Sequence, residues 1–170
     1  MTSYIALLRA INVGGTGKLP MSDLRTLCQA AGYKEVRTYI ASGNVVFQSR
    51  AGERVVKRDL EGQLLEYAGK SVNVMIRTAA EMMAVLEANP FRGAAPNRTV
   101  AIFLDDPPPP DTLGGLIGRS DEQVQLGKRE IYIHYGPRMA DSKLKIAAAS
   151  TGTARNMNTV AKLAAMASGL

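Results

Sequence analysis

The segment from Asn12 to Lys18 has the composition of a loop that binds a negatively charged group. It reads NVGGTGK and lies between a predicted strand and a predicted helix. Its glycines free the backbone, so that N–H groups can converge on an anion. Neither the Walker pattern nor the dinucleotide-binding pattern fits, because Asn12 and Pro20 stand where those patterns require Gly. The open alternatives are an anion-binding loop and a loop without a ligand.

A second polar segment, residues 151–159, lies near the end of the chain. We predict that Thr153 caps the last helix, which places Arg155, Asn156 and Asn158 in its first turns. Unpaired backbone N–H groups and a guanidinium at a helix start suit a phosphate or carboxylate. The alternative is a capped helix whose polar residues hydrogen-bond to a neighbouring loop.

The third polar segment is the predicted hairpin turn at residues 41–43. Ser42 stands beside Gly43, but the nucleophile elbow G-x-S-x-G is absent because position 40 is Ile. Turn chemistry accounts for Ser42, Gly43 and Asn44, with a positive φ expected at Gly43. The whole predicted ligand-binding set comprises Arg9, Asn12, Gly14, Gly15, Lys18, Ser42, Asn44, Thr153, Arg155, Asn156 and Asn158.

The residues that usually bind metals are sparse. His134 is the single histidine, in a predicted strand where a local hydrogen-bond partner is expected. Asp105 and Asp106 end another strand without a third acidic residue near in sequence. Cys28, the single cysteine, lies on the apolar side of a predicted helix and is expected to be buried. We therefore predict no metal site and no cofactor.

The charge distribution favours an anionic partner. The formal net charge is +6, and residues 1–78 carry 11 Lys and Arg against 6 Asp and Glu. Nucleic acid is one such partner. However, aromatic residues make up only 5% of the chain, and the strand at 44–47 holds a single one, so base stacking is weakly supported. The alternative is a basic surface that only keeps the protein soluble.

The compartment follows from what the sequence lacks. A lone cysteine is compatible with a reducing environment. No export signal and no apolar run long enough to cross a membrane are visible. We therefore expect a cytoplasmic protein without membrane contact, and its oligomeric state stays open.

Hydrophobic periodicity predicts an α+β fold in two parts, with no sequence repeat between them. Residues 1–78 predict a βαββαβ order, with strands at 4–10, 36–40, 44–47 and 72–77 and helices at 21–31 and 53–68, the second packing through Val56, Leu60, Leu64 and Tyr67. That order is typical of a ferredoxin-like subdomain. Residues 79–170 predict the order αβαββαα. Its helices are expected at 79–88, 113–117, 142–149 and 154–167, and its strands at 99–104, 123–126 and 131–135.

Three stretches resemble a known family. They are YIALLRAINVGG at 4–15, VRTYIASGNVVF at 36–47 and TARNMNTV at 153–160, together with Met21 and Lys143-Leu144. These segments are similar to the bacterial domain-of-unknown-function family 1697. The resemblance implies two intertwined α+β subdomains, one of them ferredoxin-like, and carries no established activity. Where the family usually has Trp, this chain has Met157, which suggests core packing there; a ring that stacks on a ligand would be absent.

Three functions remain as hypotheses. The first is the binding of an anionic small molecule, carrying phosphate or carboxylate, in a polar cleft between the subdomains. The second is binding of nucleic-acid backbones by the basic first half. The third is an enzyme acting on a phosphorylated or acylated substrate, with Lys18 and Arg155 as electrostatic clamps and Ser42 or Thr153 as polar participants.

Overall fold

The computed structural model describes residues 1–12 and 18–170, which form two four-stranded antiparallel sheets and four α-helices. The strands are β1 (Thr2–Leu8), β2 (Lys34–Tyr39), β3 (Asn44–Ser49), β4 (Val74–Thr78), β5 (Thr99–Phe103), β6 (Gln123–Leu126), β7 (Glu130–His134) and β8 (Thr153–Asn156). The α-helices are α1 (Met21–Ala30), α2 (Glu53–Ala68), α3 (Ala79–Glu87) and α4 (Met157–Ser168). No helix in the described ranges has the length and apolar character that a membrane crossing requires. The predicted α+β class is confirmed.

The first sheet has the strand order β2-β3-β1-β4. With α1 after β1 and α2 after β3, this is the βαββαβ ferredoxin-like arrangement predicted from the sequence. Alternate residues of β1, namely Tyr4, Ala6 and Leu8, belong to a core cluster that also contains residues of α1 and α2. The residues between them, Ile5 and Leu7, are fully buried as well. Both faces of β1 are therefore removed from water.

The helices of the first sheet follow their apolar spacing. In α2, Val56, Leu60 and Leu64 are buried at helical intervals, and the helix ends at Gly69 with a left-handed φ of 68°. The expectation that Tyr67 joins this row is wrong. Its side chain is 44% exposed, and its hydroxyl donates a hydrogen bond of 2.5 Å to Asp23 Oδ2.

The second sheet has the order β6-β7-β5-β8 and departs from the predicted element order. Residues 142–149 form no α-helix; within 136–149 the chain makes 3-10 turns at Gly136–Asp141 and Ala147–Ala149. The last helix begins at Met157 rather than at 154, because residues Thr153–Asn156 pair with β5 as β8. The short helix expected at 113–117 is a 3-10 turn at Thr112–Gly115.

The two sheets share one topology, although no sequence repeat was expected. In each sheet the order is second, third, first and fourth strand, and in each a helix follows the fourth strand. Local hydrogen bonds repeat too: Leu8 N–H donates to the Gly43 carbonyl, and Leu104 N–H donates to the Arg129 carbonyl, both at 2.9 Å. The helices α1 and α2 of the first sheet correspond to 3-10 turns in the second. The repeat is therefore visible in the pairing of the strands and not in the amino-acid sequence.

The chain divides into two compact units. The first unit comprises Met1–Met82 and Lys162–Leu170, and the second comprises Met83–Ala161. The division runs through α3 and α4, so the first unit contains the last nine residues. The predicted domain boundary between residues 78 and 79 falls where β4 ends and α3 begins; as a domain limit it stays a prediction.

Candidate functional site

In the first unit, the side chain of Asn12 connects the segment that follows β1 to residue 19 and to the β2–β3 turn. Its Nδ2 donates to the Leu19 carbonyl at 2.9 Å and to the Ala41 carbonyl at 2.8 Å. Its Oδ1 accepts the Leu19 N–H at 2.6 Å. Asn12 thus holds residue 19 through both backbone groups and connects it to the β2–β3 turn. The predicted ligands Gly14 and Gly15 lie outside the described residues.

The backbone around Asn12 is unusual. Ala10, Asn12 and Ile40 have φ values of 53°, 54° and 49°. Left-handed backbone costs roughly 1 kcal/mol for a residue with a Cβ atom, and Ile is among the residues that least tolerate it. The predicted positive φ at Gly43 is confirmed at 89°, and a Cβ there would lie 2.6 Å from the Ile11 Cδ1. Left-handed backbone therefore occurs both in the segment after β1 and at the β2–β3 turn.

The predicted side chains of this region divide by exposure. Arg9, Lys18 and Ser42 are exposed. Asn44 is fully buried, and its Nδ2 donates to the Tyr39 carbonyl at 2.8 Å and to Ser42 Oγ at 2.9 Å. The Asn44 side chain therefore holds the β2–β3 turn through two hydrogen bonds, in agreement with the turn chemistry predicted for it.

In the second unit, the polar segment near the chain end is a strand followed by a helix cap. Thr153 does not cap the last helix, and Arg155 does not lie in its first turn, because both belong to β8. Asn156 is the cap instead: its Oδ1 accepts the Thr159 N–H at 3.0 Å. Asn158 lies in the first turn as predicted, with its side chain exposed.

Arg155 is only 7% exposed. Its Nη1 donates to Thr153 Oγ1 at 2.7 Å and to the Ala154 carbonyl at 2.9 Å. Burial disfavours the charged form and lowers the pKa of the guanidinium to about 10. Arg155 thus has a structural setting inside its own unit, and its predicted contact with a ligand stays a prediction.

Sequence reasoning missed that Arg155 has an equivalent in the first unit. Arg77 is 1% exposed, pairs with Ile5 across β1 and β4, and donates from Nη1 to the preceding carbonyl, that of Ile76, at 2.9 Å. Each arginine stands directly before the residue that caps the following helix. For Arg77 that residue is Thr78, whose Oγ1 accepts the Glu81 N–H at 3.1 Å. A basic residue inside the apolar strand VMIRT was the available signal.

His134 has the local partner predicted for it. Its Nδ1 lies 3.2 Å from Thr99 Oγ1. The Thr99 hydroxyl donates its single proton to the Ala95 carbonyl at 3.0 Å, so Nδ1 carries the hydrogen in this contact. Across residues 1–12 and 18–170, no three His, Cys, Asp or Glu side chains come together as metal ligands.

The two predicted groups of ligand-binding residues belong to different units of the chain. Arg9, Asn12, Lys18, Ser42 and Asn44 lie in the first unit. The segment from Thr153 to Asn158 lies in the second. Whether they serve one ligand stays a prediction.

The fold is that of an α+β protein with a ferredoxin-like first unit, and comparison with known proteins gives its family. The model of the family described as Protein of unknown function (DUF1697) matches residues 1–132, and the chain belongs to this family. It is similar to a solved structure described as that of the conserved bacterial protein SP0830 from Streptococcus pneumoniae. The identity is 26%, the TM-score is 0.81, and 98% of each chain is covered. No curated protein matches the chain.

Proposed function

We propose that the chain binds a small molecule carrying a phosphate or carboxylate group at the end of β1. The observation that carries the proposal is the Asn12 clamp, which fixes the ends of the segment 12–19 against the β2–β3 turn. A loop whose ends are already held loses less conformational entropy when it binds. Arg9, which precedes this segment, and Lys18, which lies within it, are both exposed and supply positive charge.

The strained backbone supports the same location. Residues in sparsely populated φ/ψ regions concentrate at binding sites, because the surrounding structure must favour a local conformation that is costly in itself. Of the four non-glycine residues with positive φ in the described ranges, Ala10 and Asn12 lie in the segment after β1, and Ile40 lies at the β2–β3 turn that Asn12 contacts. The fourth, Glu35, lies in β2 where its register with β3 shifts.

The test is calorimetric titration of the full chain with inorganic phosphate, pyrophosphate and citrate at low salt. We expect saturable binding of at least one of these anions. Arg9→Gln and Lys18→Gln should each weaken it about tenfold or more, because a charge-assisted hydrogen bond contributes roughly 1.5–3 kcal/mol. The matched control is Lys34→Gln, which removes one exposed positive charge on β2 and should leave the affinity nearly unchanged.

Equal weakening by Lys34→Gln would mean that total charge, and not this site, attracts the anion. The absence of saturable binding to all three anions would also contradict the proposal.

Binding of nucleic-acid backbones is a second candidate, which the charge of the first 78 residues favours. Phe47, the single aromatic residue of β3, is fully buried and stacks on Tyr33 at a centroid distance of 4.3 Å, so it offers no surface to a base. Binding would then depend on phosphate contacts alone. The anisotropy of a labelled oligothymidylate should show affinity falling with salt, with a slope of about 0.7 per phosphate contact. In that case Lys34→Gln should reduce the slope as much as Lys18→Gln does.

A further inference from the structure

A cavity of about 200 Å³ lies within the second unit, between residues 118–122 and 138–143. One water molecule takes about 30 Å³ in the liquid, so the space exceeds that of a single water. The cavity contains no residue of the ligand-binding segments at residues 9–19, 42–44 and 153–158, and it is independent of the proposed function.

The walls of this cavity are fixed by a backbone pairing. Ile117 and Lys145 form an isolated antiparallel bridge with hydrogen bonds of 3.1 and 2.8 Å. Next to it, Gly118 has a φ of 71°, and a Cβ at this position would lie 2.2 Å from the Lys143 carbonyl oxygen. Only glycine permits this close approach of the two segments. The backbone segments on two sides of the cavity are therefore held at a fixed separation.

Glu122 is the buried polar group of the cavity wall, at 2% exposure. Its Oε1 accepts the Ser120 N–H at 2.8 Å, and its Oε2 accepts the Ser142 hydroxyl at 3.1 Å. The hydrogen bond from the Ser120 N–H is the main cause that lowers the pKa of Glu122 below its ordinary value. In the described part of the chain, no Lys or Arg forms an ion pair with this carboxylate. Arg119, whose Nε donates to the Glu122 backbone carbonyl at 2.8 Å, adds the smallest of the causes that lower this pKa. The buried negative charge is thus hydrogen-bonded and only partly offset by a cation, an arrangement that favours a further positive group.

Charges of both signs surround the rest of the cavity. Asp121 and Asp141 contribute carboxylates, and Arg138 and Lys143 contribute positive groups; all four residues are exposed. A simple anion would meet the three acidic groups, and a simple cation would meet the two basic ones. A ligand with one ammonium group and one carboxylate group satisfies both sets.

We propose that this cavity binds a small zwitterionic molecule of the amino-acid class, with its ammonium group against Glu122 and its carboxylate against Arg138 or Lys143. The cavity residues supply both carboxylate acceptors and positive groups. Glu122 sets the orientation because it is the buried charge of the lining.

The experiment titrates the full chain with the twenty standard L-amino acids, one at a time at millimolar concentration, followed by calorimetry and thermal unfolding. We expect at least one to bind and to raise the unfolding temperature. Its N-acetyl derivative and its amide should each bind at least tenfold more weakly, since each lacks one of the two charges. Glu122→Gln, which keeps the side-chain shape, should also weaken binding at least tenfold. The matched control is Asp106→Asn, an exposed carboxylate outside the cavity.

If Glu122→Gln does not fold, the exposed variants Asp121→Asn and Arg138→Gln carry the test, and each should weaken binding severalfold. The proposal is overturned if none of the twenty amino acids binds. It is also overturned if the amide or N-acetyl derivative binds as well as the parent amino acid, or if the cavity variants bind like the Asp106 control.

Discussion

Single polar side chains in this protein are occupied mainly with holding backbone segments in place. The Asn12 Nδ2 donates to two backbone carbonyls, those of Leu19 and Ala41, and its Oδ1 accepts the Leu19 N–H. Asn44 likewise donates to a backbone carbonyl, that of Tyr39, beside a turn, and Asn156 accepts a backbone N–H, that of Thr159, at a helix start. Such residues look like ligand-binding residues in a sequence, because the side chains that bind an anion also bind a backbone. The two uses differ only in the three-dimensional contacts of the side chain.

Asn12→Ala is expected to lower the free energy of unfolding by about 2–3 kcal/mol. The change removes three side-chain hydrogen bonds, each contributing roughly 0.5–1.5 kcal/mol, and leaves Ala at a φ of 54°. Asn12→Gly loses the same bonds but tolerates the backbone, so it should be about 1 kcal/mol less destabilising than Ala. Urea denaturation measures both values. Variants as stable as the parent would show that the clamp contributes nothing.

From the raised pKa of the Cys28 thiol we predict how the free energy of unfolding changes at high pH. It is fully buried, and burial raises the pKa of its thiol from 9.0 to about 12. Between these values the unfolded chain loses the proton while the folded chain keeps it, so stability falls as pH rises through this window. The decline from this one group approaches 1.4 kcal/mol per pH unit. Cys28→Ala should therefore show a flatter decline between pH 9 and pH 10.5, measured by denaturation at each pH.

The contribution of Arg155 has the opposite sign, because its pKa is lowered to about 10. It is the same in the parent and in Cys28→Ala, so it cancels in the comparison. Parallel pH curves for the two proteins would contradict the assignment of the decline to Cys28.

At the scale of elements, helix caps define where helices begin. Asn156 caps α4, and its replacement by Ala should lower the free energy of unfolding by about 1 kcal/mol. Asn156→Asp keeps an acceptor for the Thr159 N–H and should restore most of the loss. Asn158→Ala is the control in the same turn, since that side chain is exposed. Equal effects of Asn156→Ala and Asn158→Ala in thermal denaturation would refute the capping role.

The elements that the sequence predicted well have strong periodicity and clear ends. The bounds of α2 agree with the prediction, because Val56, Leu60 and Leu64 repeat at helical spacing and Gly69 ends the helix. The helix predicted at residues 142–149 is absent, and Lys145 pairs with Ile117 instead. Leu144, Ile146 and Ala148, at a spacing of two, pack against the core cluster of the second sheet. Tertiary pairing, which a single sequence does not display, overrides local propensity here.

The start of α4 shows the same limit within the candidate site. The sequence predicts a capping residue before this helix but places it at Thr153, although Asn156 also belongs to a favoured capping type. The choice depends on the pairing of Phe103 with Thr153 and of Val100 with Asn156, which extends the strand to position 156. The sequence therefore indicated that a cap exists but not its position.

At the scale of the whole molecule, the repeated topology relates residues that are far apart in sequence. Arg77 and Arg155 occupy the same place in the fourth strand of each sheet and make the same hydrogen bond to the preceding carbonyl. The first strands correspond through Ile5 and Ala101, their respective partners. Because a buried arginine stands at the same place in both sheets, its presence at 155 alone is weak support for ligand binding.

The boundary between the two units falls within α4, so that this helix contributes residues to both. A substitution at Leu163 tests its contribution to the first unit. Leu163 is fully buried, and Ala164 and Ala167 are 1% exposed; all three belong to the part of α4 assigned to the first unit. Leu163→Ala should lower the free energy of unfolding by about 2–5 kcal/mol, because it removes buried methyl groups and leaves a cavity.

The opening of the first unit can be measured through Cys28, a buried thiol of that unit. Its labelling by a thiol reagent in native buffer should become about thirtyfold faster or more if labelling proceeds through unfolding. Lys162→Ala, an exposed neighbour, should leave the rate unchanged. An unchanged labelling rate in Leu163→Ala would show that Cys28 stays protected from the reagent without this side chain.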